Sequence, residues 1–475
     1  QRSRACSTSF SRRQTSLPAW RPSNSIAPSL APPPQNAHPP PDACAARKKV
    51  TYSEAIQHLL DLRMFGTKLG LDNPRRLAAL AGSPHERLRF IHVAGTNGKG
   101  SVCAMLESVY REAGLRTGLF TSPHLVSFRE RMQVNRELIS EATVARLTAR
   151  LRDWMAAFPE GQTPTFFEMV VVMSLCHFAE QECDIVLWET GMGGRLDATN
   201  IVTPLASVIT NVGLDHTRWL GESHAAIARE KSGIIKPGTP AFTATDHPDA
   251  LAAIRAAAKT HGAELTALGQ EEEATDLPLL GKHQQTNARL ARAVVDRLQP
   301  QLPVSREQVA AGLAKVHWPG RLQTVEVGEQ VFLLDGAHNA EGAAILRRAL
   351  ADHFSTRHPA FILGMVDEKD GSGFCRELAP LAKRLVLAPV RSGRSADPAA
   401  FVPVCHEANP EAATVVAASL GQALERCTDE PFVVVTGSFY LVGEAMERLG
   451  VSPTPTESER LLNDWGAPGT LGQGG

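Results

Sequence analysis

Neither sign of charge dominates this chain: 49 Lys and Arg stand against 50 Asp and Glu, a formal net charge of −1. Without a global basic field, nucleic acid is not an expected partner. No apolar run approaches the roughly 20 residues needed to cross a bilayer, so an integral membrane protein is not expected either. The eight cysteines (Cys6, Cys44, Cys103, Cys176, Cys183, Cys375, Cys405, Cys427) include no CxxC pair. Scattered in this way they read as reduced thiols of a cytoplasmic protein rather than as a disulfide framework or a zinc site. No repeat recurs at solenoid periods.

Acidic residues are nearly missing from one stretch. Residues 1–48 are rich in Ser, Arg and Pro, and Asp42 is their only carboxylate. Such a segment cannot bury a core and is expected to be a disordered or processed extension. Basic, Ser-rich and acid-poor also describes an organellar transit peptide, although the prolines oppose an amphipathic helix. The chain starts at Gln1, so a mis-started upstream frame is a further reading, and both stay open.

What is present begins with Ile91-His-Val-Ala-Gly-Thr-Asn-Gly-Lys-Gly-Ser101. An apolar run ends in a glycine-rich loop with one Lys and a hydroxyl, and a helical pattern over 102–109 follows directly. Strand, glycine loop and helix build a phosphate cradle, because backbone N–H groups and the helix N-terminus face the anion. Lys99 would reach the β- and γ-phosphates, and Ser101 or Thr96 could assist phosphate or metal. The Walker A match is incomplete: Val93 stands where that pattern wants Gly, and Gly100 where it wants Ser or Thr. An ordinary glycine-rich turn is the alternative; the context points to a nucleoside triphosphate.

Composition, 43% hydrophobic and 21% charged over 475 residues, suits a soluble enzyme of two or three domains. Apolar strands are read at 117–120, 184–189 and 206–212, with a short apolar piece at 240–245. Helices are read at 140–157, 166–180 and 225–234. Strands alternating with helices imply a doubly wound α/β sheet with ligands at the strands' carboxyl ends. A second, smaller α/β series follows Trp318-Pro-Gly320, with strands at 330–334, 360–363, 384–388 and 432–435. Helical patterns at 341–354, 374–383 and 417–427 separate them. The expected division is therefore 49–320, an ATP-binding central domain, 321–455, a C-terminal domain, and 456–475, a loose tail.

Glu189 closes an apolar strand ahead of Gly191-Met-Gly-Gly194. A carboxylate there, beside a phosphate loop, is where an NTPase holds Mg²⁺; a loop-capping role is the bland alternative. His216 follows the next strand and, taken alone, reads as a structural histidine. Lys231, taken alone, belongs to a solvated helix face. A desolvated Lys can lose its charge, however, and a neutral amine can capture CO₂ as a metal-ligating carbamate.

Several runs resemble the folylpolyglutamate synthase/dihydrofolate synthase family of Mur-like ligases. They are Gly95-Thr-Asn-Gly-Lys-Gly-Ser101, Ser122-Pro-His-Leu125, Glu189-Thr-Gly-Met-Gly-Gly-Arg-Leu-Asp-Ala-Thr-Asn200, Leu214-Asp-His-Thr217 and Arg229-Glu-Lys-Ser-Gly233. Lys282-His-Gln-Gln-Thr-Asn287, Pro319-Gly-Arg321 and Asp335-Gly-Ala-His-Asn339 extend the resemblance, which runs from about Tyr52 to about Val451.

The resemblance implies a P-loop-type central domain followed by a Rossmann-like C-terminal domain. It also implies ATP and Mg²⁺ as cofactors, with L-glutamate and dihydropteroate or folate as partners. Thr96, Asn97, Gly98, Lys99, Gly100 and Ser101 would bind phosphates, and Asn287, Arg321 and Asp335 would contact ATP. Ser122 and Glu189 would hold one metal, His216 and carbamylated Lys231 a second, so that Lys99, His216 and Lys231 carry the catalysis. His338 would order its loop. Thr165, Phe166, Phe167, Glu168, Leu196, Asp197 and Ala198 would face the pterin-bearing substrate. The two Phe rings offer flat faces for a heteroaromatic ring, but could equally be the apolar face of their helix. The implied reaction is amide formation through an acyl phosphate, by a monomeric enzyme making dihydrofolate and extending folate glutamate chains. Folylpolyglutamate synthesis alone, another Mur-like amide ligase, and a nucleotide-dependent switch remain open.

Overall fold

Apolar runs too short for helices build two sheets whose central strands are buried on both faces. The computed structural model describes residues 50–63, 66, 70–269, 275–452 and 457–463. The expectations for residues 1–48 and for the end of the tail lie outside the described residues. The first sheet contains β1 (Phe90–Ala94), β2 (Thr117–Phe120), β3 (Met132–Val134), β4 (Glu137–Leu138), β5 (Ile185–Glu189), β6 (Ala206–Ile209), β7 (Ala241–Thr243) and β8 (Leu265–Ala267). Its order is β4-β3-β2-β5-β1-β6-β7-β8. The strands from β2 to β8 in that order are parallel, while β3 and β4 form an antiparallel edge hairpin.

β1 lies centrally, with Val93 opposite Glu189 on one side and Val208 on the other. The loops after β1, β5 and β6 therefore open at one carboxyl edge, where such sheets bind ligands. Phe120 and Phe90 pack on the fully buried Trp188, with ring centroids 4.5 and 5.6 Å away, so the strand that ends in Glu189 is anchored in aromatic core.

The second sheet contains β9 (Gln323–Val327), β10 (Gln330–Asp335), β11 (Ala360–Leu363), β12 (Arg384–Leu387), β13 (Ala413–Val416) and β14 (Phe432–Thr436), in the order β13-β12-β11-β14-β10-β9. Only β9 runs antiparallel to its neighbour. This is the expected architecture, a doubly wound sheet followed by a smaller α/β layer. No helix among the described residues is long and apolar enough to cross a membrane.

The helices expected at 140–157 and 166–180 are Glu141–Met155 and Phe166–Glu180. The second is apolar all round and almost entirely buried, as a core helix must be. The helix expected over 374–383 spans only Gly371–Leu378, because Pro380 can donate no backbone N–H and forces a tighter turn. The one expected at 417–427 shrinks to Leu420–Glu425. The β3–β4 hairpin and strands β8, β9 and β13 carried too short a pattern to be read. The stretch expected to be a loose tail contains a helix, Glu457–Leu461, followed by fully buried Leu462. One apolar anchor and a few polar contacts dock it, too little pattern for a sequence window to register.

Candidate active site

The glycine loop leaves β1 and turns into the helix Lys99–Glu112 through Gly98, whose φ of +82° lies in the left-handed region that favours Gly. A side chain there would also strike Asn287 Oδ1 at 2.7 Å, since the helix Lys282–Leu298 lies across the loop. Gly100 gives way to the Trp318 indole, 2.8 Å from where a Cβ would be. The residues after β6 pin the loop from below. Thr96 N–H donates to Asn211 O at 3.1 Å, Asn97 N–H to Asn211 Oδ1 at 2.8 Å, and Thr210 Oγ1 to Asn97 O at 2.6 Å. Lys99 Nζ folds back onto the carbonyls of Gly95 and Thr96 at 3.2 and 3.3 Å.

Around this loop lies a cleft of about 170 Å³. Thr96 to Ser101, Ser122, Glu189, Asp215, His216 and Lys231 line it from the first sheet, and Arg321, Asp335 and His338 from the second. Asn287 stands behind the loop, against Gly98, rather than on the cleft wall. The Asp335 carboxylate accepts from the N–H groups of Leu322 (2.9 Å) and Ala337 (3.0 Å), so it also shapes the loops on which Arg321 and His338 sit. Arg321 lies over the Phe439 ring at 4.8 Å. His338 Nδ1 meets its own loop at Gly336 O, 2.8 Å away.

Charge in the cleft is unevenly compensated. Glu189 is buried and accepts from Ser122 N–H at 3.1 Å; burial pushes its carboxyl up, against the opposing pull of Lys99. Among the described residues it has no ion-pair partner. Burial would raise Asp215 too, but Lys369 at 2.6 Å, with His216 and His338 beside it, holds that carboxyl well below its usual range. His216 stands in the left-handed region at φ +51°, uncommon for a non-Gly residue, and burial followed by Lys369 lowers its imidazole to about 3. Lys231 is 4% exposed; burial, and then the field of Lys99, lowers its amine to about 7. Glu189, His216 and Lys231 thus line one cleft, but among the described residues no group of three or more His, Cys, Asp or Glu side chains is gathered closely enough to hold a metal ion by itself.

A second cavity, of about 70 Å³, adjoins the first and shares Ser122, Pro123, Gly191 and Met192 with it. All seven residues expected to face the substrate line it: Thr165, Phe166, Phe167, Glu168, Leu196, Asp197 and Ala198. Two of these carboxylates are also structural. Glu168 accepts from Thr165 N–H at 2.7 Å in a capping box, and Asp197 accepts from Met192 N–H at 2.8 Å and from Thr199. The Phe167 ring lies 2.5 Å from where a Cβ on Gly191 would stand, so the glycine admits it.

Residues 93–276 match the Mur ligase middle domain, and residues 320–439 match the Mur ligase glutamate ligase domain. The dihydrofolate synthase/folylpolyglutamate synthase of Bacillus subtilis is 36% identical over 361 residues, 70% of this chain and 83% of that protein. The chain belongs to the folylpolyglutamate synthase/dihydrofolate synthase family. The solved structure of Escherichia coli FolC in complex with DHPP and ADP superposes with a TM-score of 0.76 at 28% identity, covering 84% of this chain and 98% of that one. A Haloferax volcanii protein named "Probable bifunctional folylpolyglutamate synthase/dihydropteroate synthase" is 33% identical over 87% of this chain, which spans only 52% of that relative's length.

Two residues that hold the cleft's surroundings and one that lines the pocket escaped sequence reasoning. Lys369 reaches Asp215 from 154 positions away. Glu341 accepts from Asn97 Nδ2 (3.0 Å) and Asn211 Nδ2 (3.1 Å), and Arg131 enters the smaller cavity. A signal for Arg131 existed in Ser122-Pro-His-Leu125, which shortly precedes it. Nothing local marks Lys369.

Proposed function

We propose that this member of the family joins L-glutamate to the carboxylate of dihydropteroate, and to the glutamate tail of tetrahydrofolates, using ATP. The observation that carries the reading is the shared wall of Ser122, Pro123, Gly191 and Met192 between the phosphate-loop cleft and the aromatic pocket. Across that wall, a flat ring held against Phe166 and Phe167 would extend its far end toward the phosphate loop.

The carboxylate oxygen attacks the γ-phosphorus and ADP departs, leaving an acyl phosphate. The amine of L-glutamate attacks the acyl carbon; the tetrahedral intermediate expels phosphate and the nitrogen loses a proton. Thr96 to Ser101 cradle the phosphates, and Lys99 swings from its two carbonyls to meet charge that develops on the transferring group. Ser122, Glu189, His216 and carbamylated Lys231 would hold Mg²⁺, whose chemistry is to neutralise phosphoryl charge. Arg321 and Asp335 approach from the second α/β layer, taken to begin at 321, so that apposition of the two layers keeps water from the acyl phosphate. ATP as co-substrate and the pattern of reduced thiols favour the cytoplasm; an organellar address would rest on residues 1–48.

The test supplies ATP, labelled L-glutamate and either dihydropteroate or tetrahydrofolate to the purified chain and measures glutamate incorporation. Both acceptors should be labelled, and Lys99→Ala should lose about 100-fold or more in rate with an unchanged melting temperature. Labelling of tetrahydrofolate alone would reduce the activity to folylpolyglutamate synthesis. Label transferred to neither acceptor would overturn the proposal.

A further inference from the structure

Arg131 closes a one-turn helix, Phe128–Arg131, and enters β3 beside the aromatic pocket. Its side chain is 2% exposed, lines the pocket and lies 5.6 Å over the Phe166 ring. Its neighbour Glu130 is not its counter-ion, for that carboxylate accepts from the N–H groups of Leu125, Val126 and Ser127 at 2.7, 2.9 and 2.7 Å. Among the described residues no carboxylate pairs with Arg131. Its partners are neutral: Nε donates to His124 Nδ1 at 2.9 Å and Nη2 to Asn463 Oδ1 at 2.6 Å. Nη1 donates to nothing among the described residues.

The carboxylates of Glu130 and Glu189 act on Arg131 only through their field, without a direct ion pair, and a buried guanidinium in that state gains from an anion that matches its planar fork. Two anions come to this site. The phosphates belong to the glycine loop, and Arg131 is absent from that cleft's lining. The acceptor occupies the pocket that Arg131 does line.

The C-terminal segment aims the guanidinium. Because Arg131 donates to His124 Nδ1, the imidazole proton sits on Nε2 and is given to Glu459 O at 3.1 Å. Asn463 accepts from Arg131 and donates through Nδ2 to His124 O at 2.8 Å, closing a ring of hydrogen bonds. The Glu459 carboxylate accepts from Ser127 Oγ (2.7 Å) and Phe128 N–H (2.9 Å), fixing the turn that carries Arg131. From the other side, Arg460 pairs with Glu447, and Arg394 donates to Asn463 O at 3.3 Å. The segment thus spans from the second α/β layer to the pocket wall.

We propose that Arg131 receives the carboxylate of the pteroate or folate acceptor, and that residues 459–463 are the positioning segment that holds it in that orientation. This rests on the proposed function, since it names how that acceptor is recognised. The guanidinium orients the carboxylate toward the γ-phosphate and rejects uncharged pterins, while Asn463 and His124 keep the fork in the plane of the pocket.

The experiment measures binding of pteroate, and of its decarboxylated analogue, to the full chain and to Arg131→Gln, Arg131→Lys and Asn463→Ala. Wild type should favour pteroate by about tenfold or more, the scale of one charge-assisted contact. Arg131→Gln should lose that preference, weakening pteroate but not the analogue, with ATP affinity unchanged. Arg131→Lys, which keeps the charge but not the fork, should fall between, and it serves alone if the Gln variant does not fold. Asn463→Ala should move pteroate affinity in the same direction with a smaller loss. An unchanged preference in the Arg131 variants overturns the anchor, and unchanged pteroate affinity in Asn463→Ala overturns the positioning segment. Failure of wild type to bind either ligand would instead sink the proposed function.

Discussion

Lys231 shows how much burial can alter one side chain. On an exposed helix it would stay charged to pH 10; here burial, then the field of Lys99, brings its amine to about 7. Near neutral pH a large fraction is therefore unprotonated and able to take up CO₂. Below about pH 7 the ammonium prevails and carbamate formation is increasingly disfavoured, so the rate should fall as pH drops through that value. Bicarbonate should restore rate to a CO₂-depleted sample, and Lys231→Met should lose most activity at every pH while remaining folded. A pH–rate profile with and without bicarbonate checks this; a Lys231→Met protein at wild-type rate would exclude the carbamate. The variant should share its defect non-additively with Glu189→Gln, since the two metals they would hold act as one cluster on the same phosphoryl group.

Among the elements, the helix Phe439–Arg448 brings backbone of the second layer against backbone of the first. Ser438 caps it by accepting from Leu441 N–H at 3.1 Å, and its Gly443 faces the loop that carries Ser122. A Cβ on Gly443 would collide with the carbonyl oxygen of Leu125. Backbone meets backbone there, so neither side can yield by a rotamer change. Gly443→Ala is expected to cost about 1–3 kcal/mol of stability, read by urea unfolding. Because Phe439 and Arg321 move with this helix, the KM for ATP should rise as well. Wild-type values for both would mean that the helix does not dock so closely.

Across the whole molecule, buried histidines set the response to acid. His92, fully buried on β1 with Nε2 3.0 Å from Thr199 Oγ1, is lowered to about 3 by burial. His177 and His338 are lowered to about 4, again by burial first. The unfolded chain protonates these groups near 6.5, so between that value and their folded values it binds more protons than the folded protein. Stability therefore rises with pH in this window and is lost as pH falls below about 6.5, by up to about 1.4 kcal/mol per pH unit for each group. Buried Glu189, Asp197 and Asp335, pushed up by burial, act in the opposite sense. The single-site comparison isolates the effect: between pH 6.5 and 4, His92→Gln should show a shallower loss of urea-unfolding free energy than wild type. Parallel curves would mean that His92 is not held neutral.

Contiguous residues suffice to specify the strand–loop–helix at 90–112, the apolar strand that ends in Glu189, and the capped helix after Thr165. Each is a local pattern whose backbone geometry depends on neighbours in sequence. The two α/β layers were legible for the same reason, as alternating apolar runs and helical periods. The short strands β8, β9 and β13 were not, because three to five residues carry little periodicity of their own. Only the tertiary structure decides that Lys231 is desolvated, that Lys369 pairs with Asp215, and that residues 459–463 reach Arg131. Burial and charge pairing arise from packing between segments more than 100 positions apart. No window of sequence contains both partners.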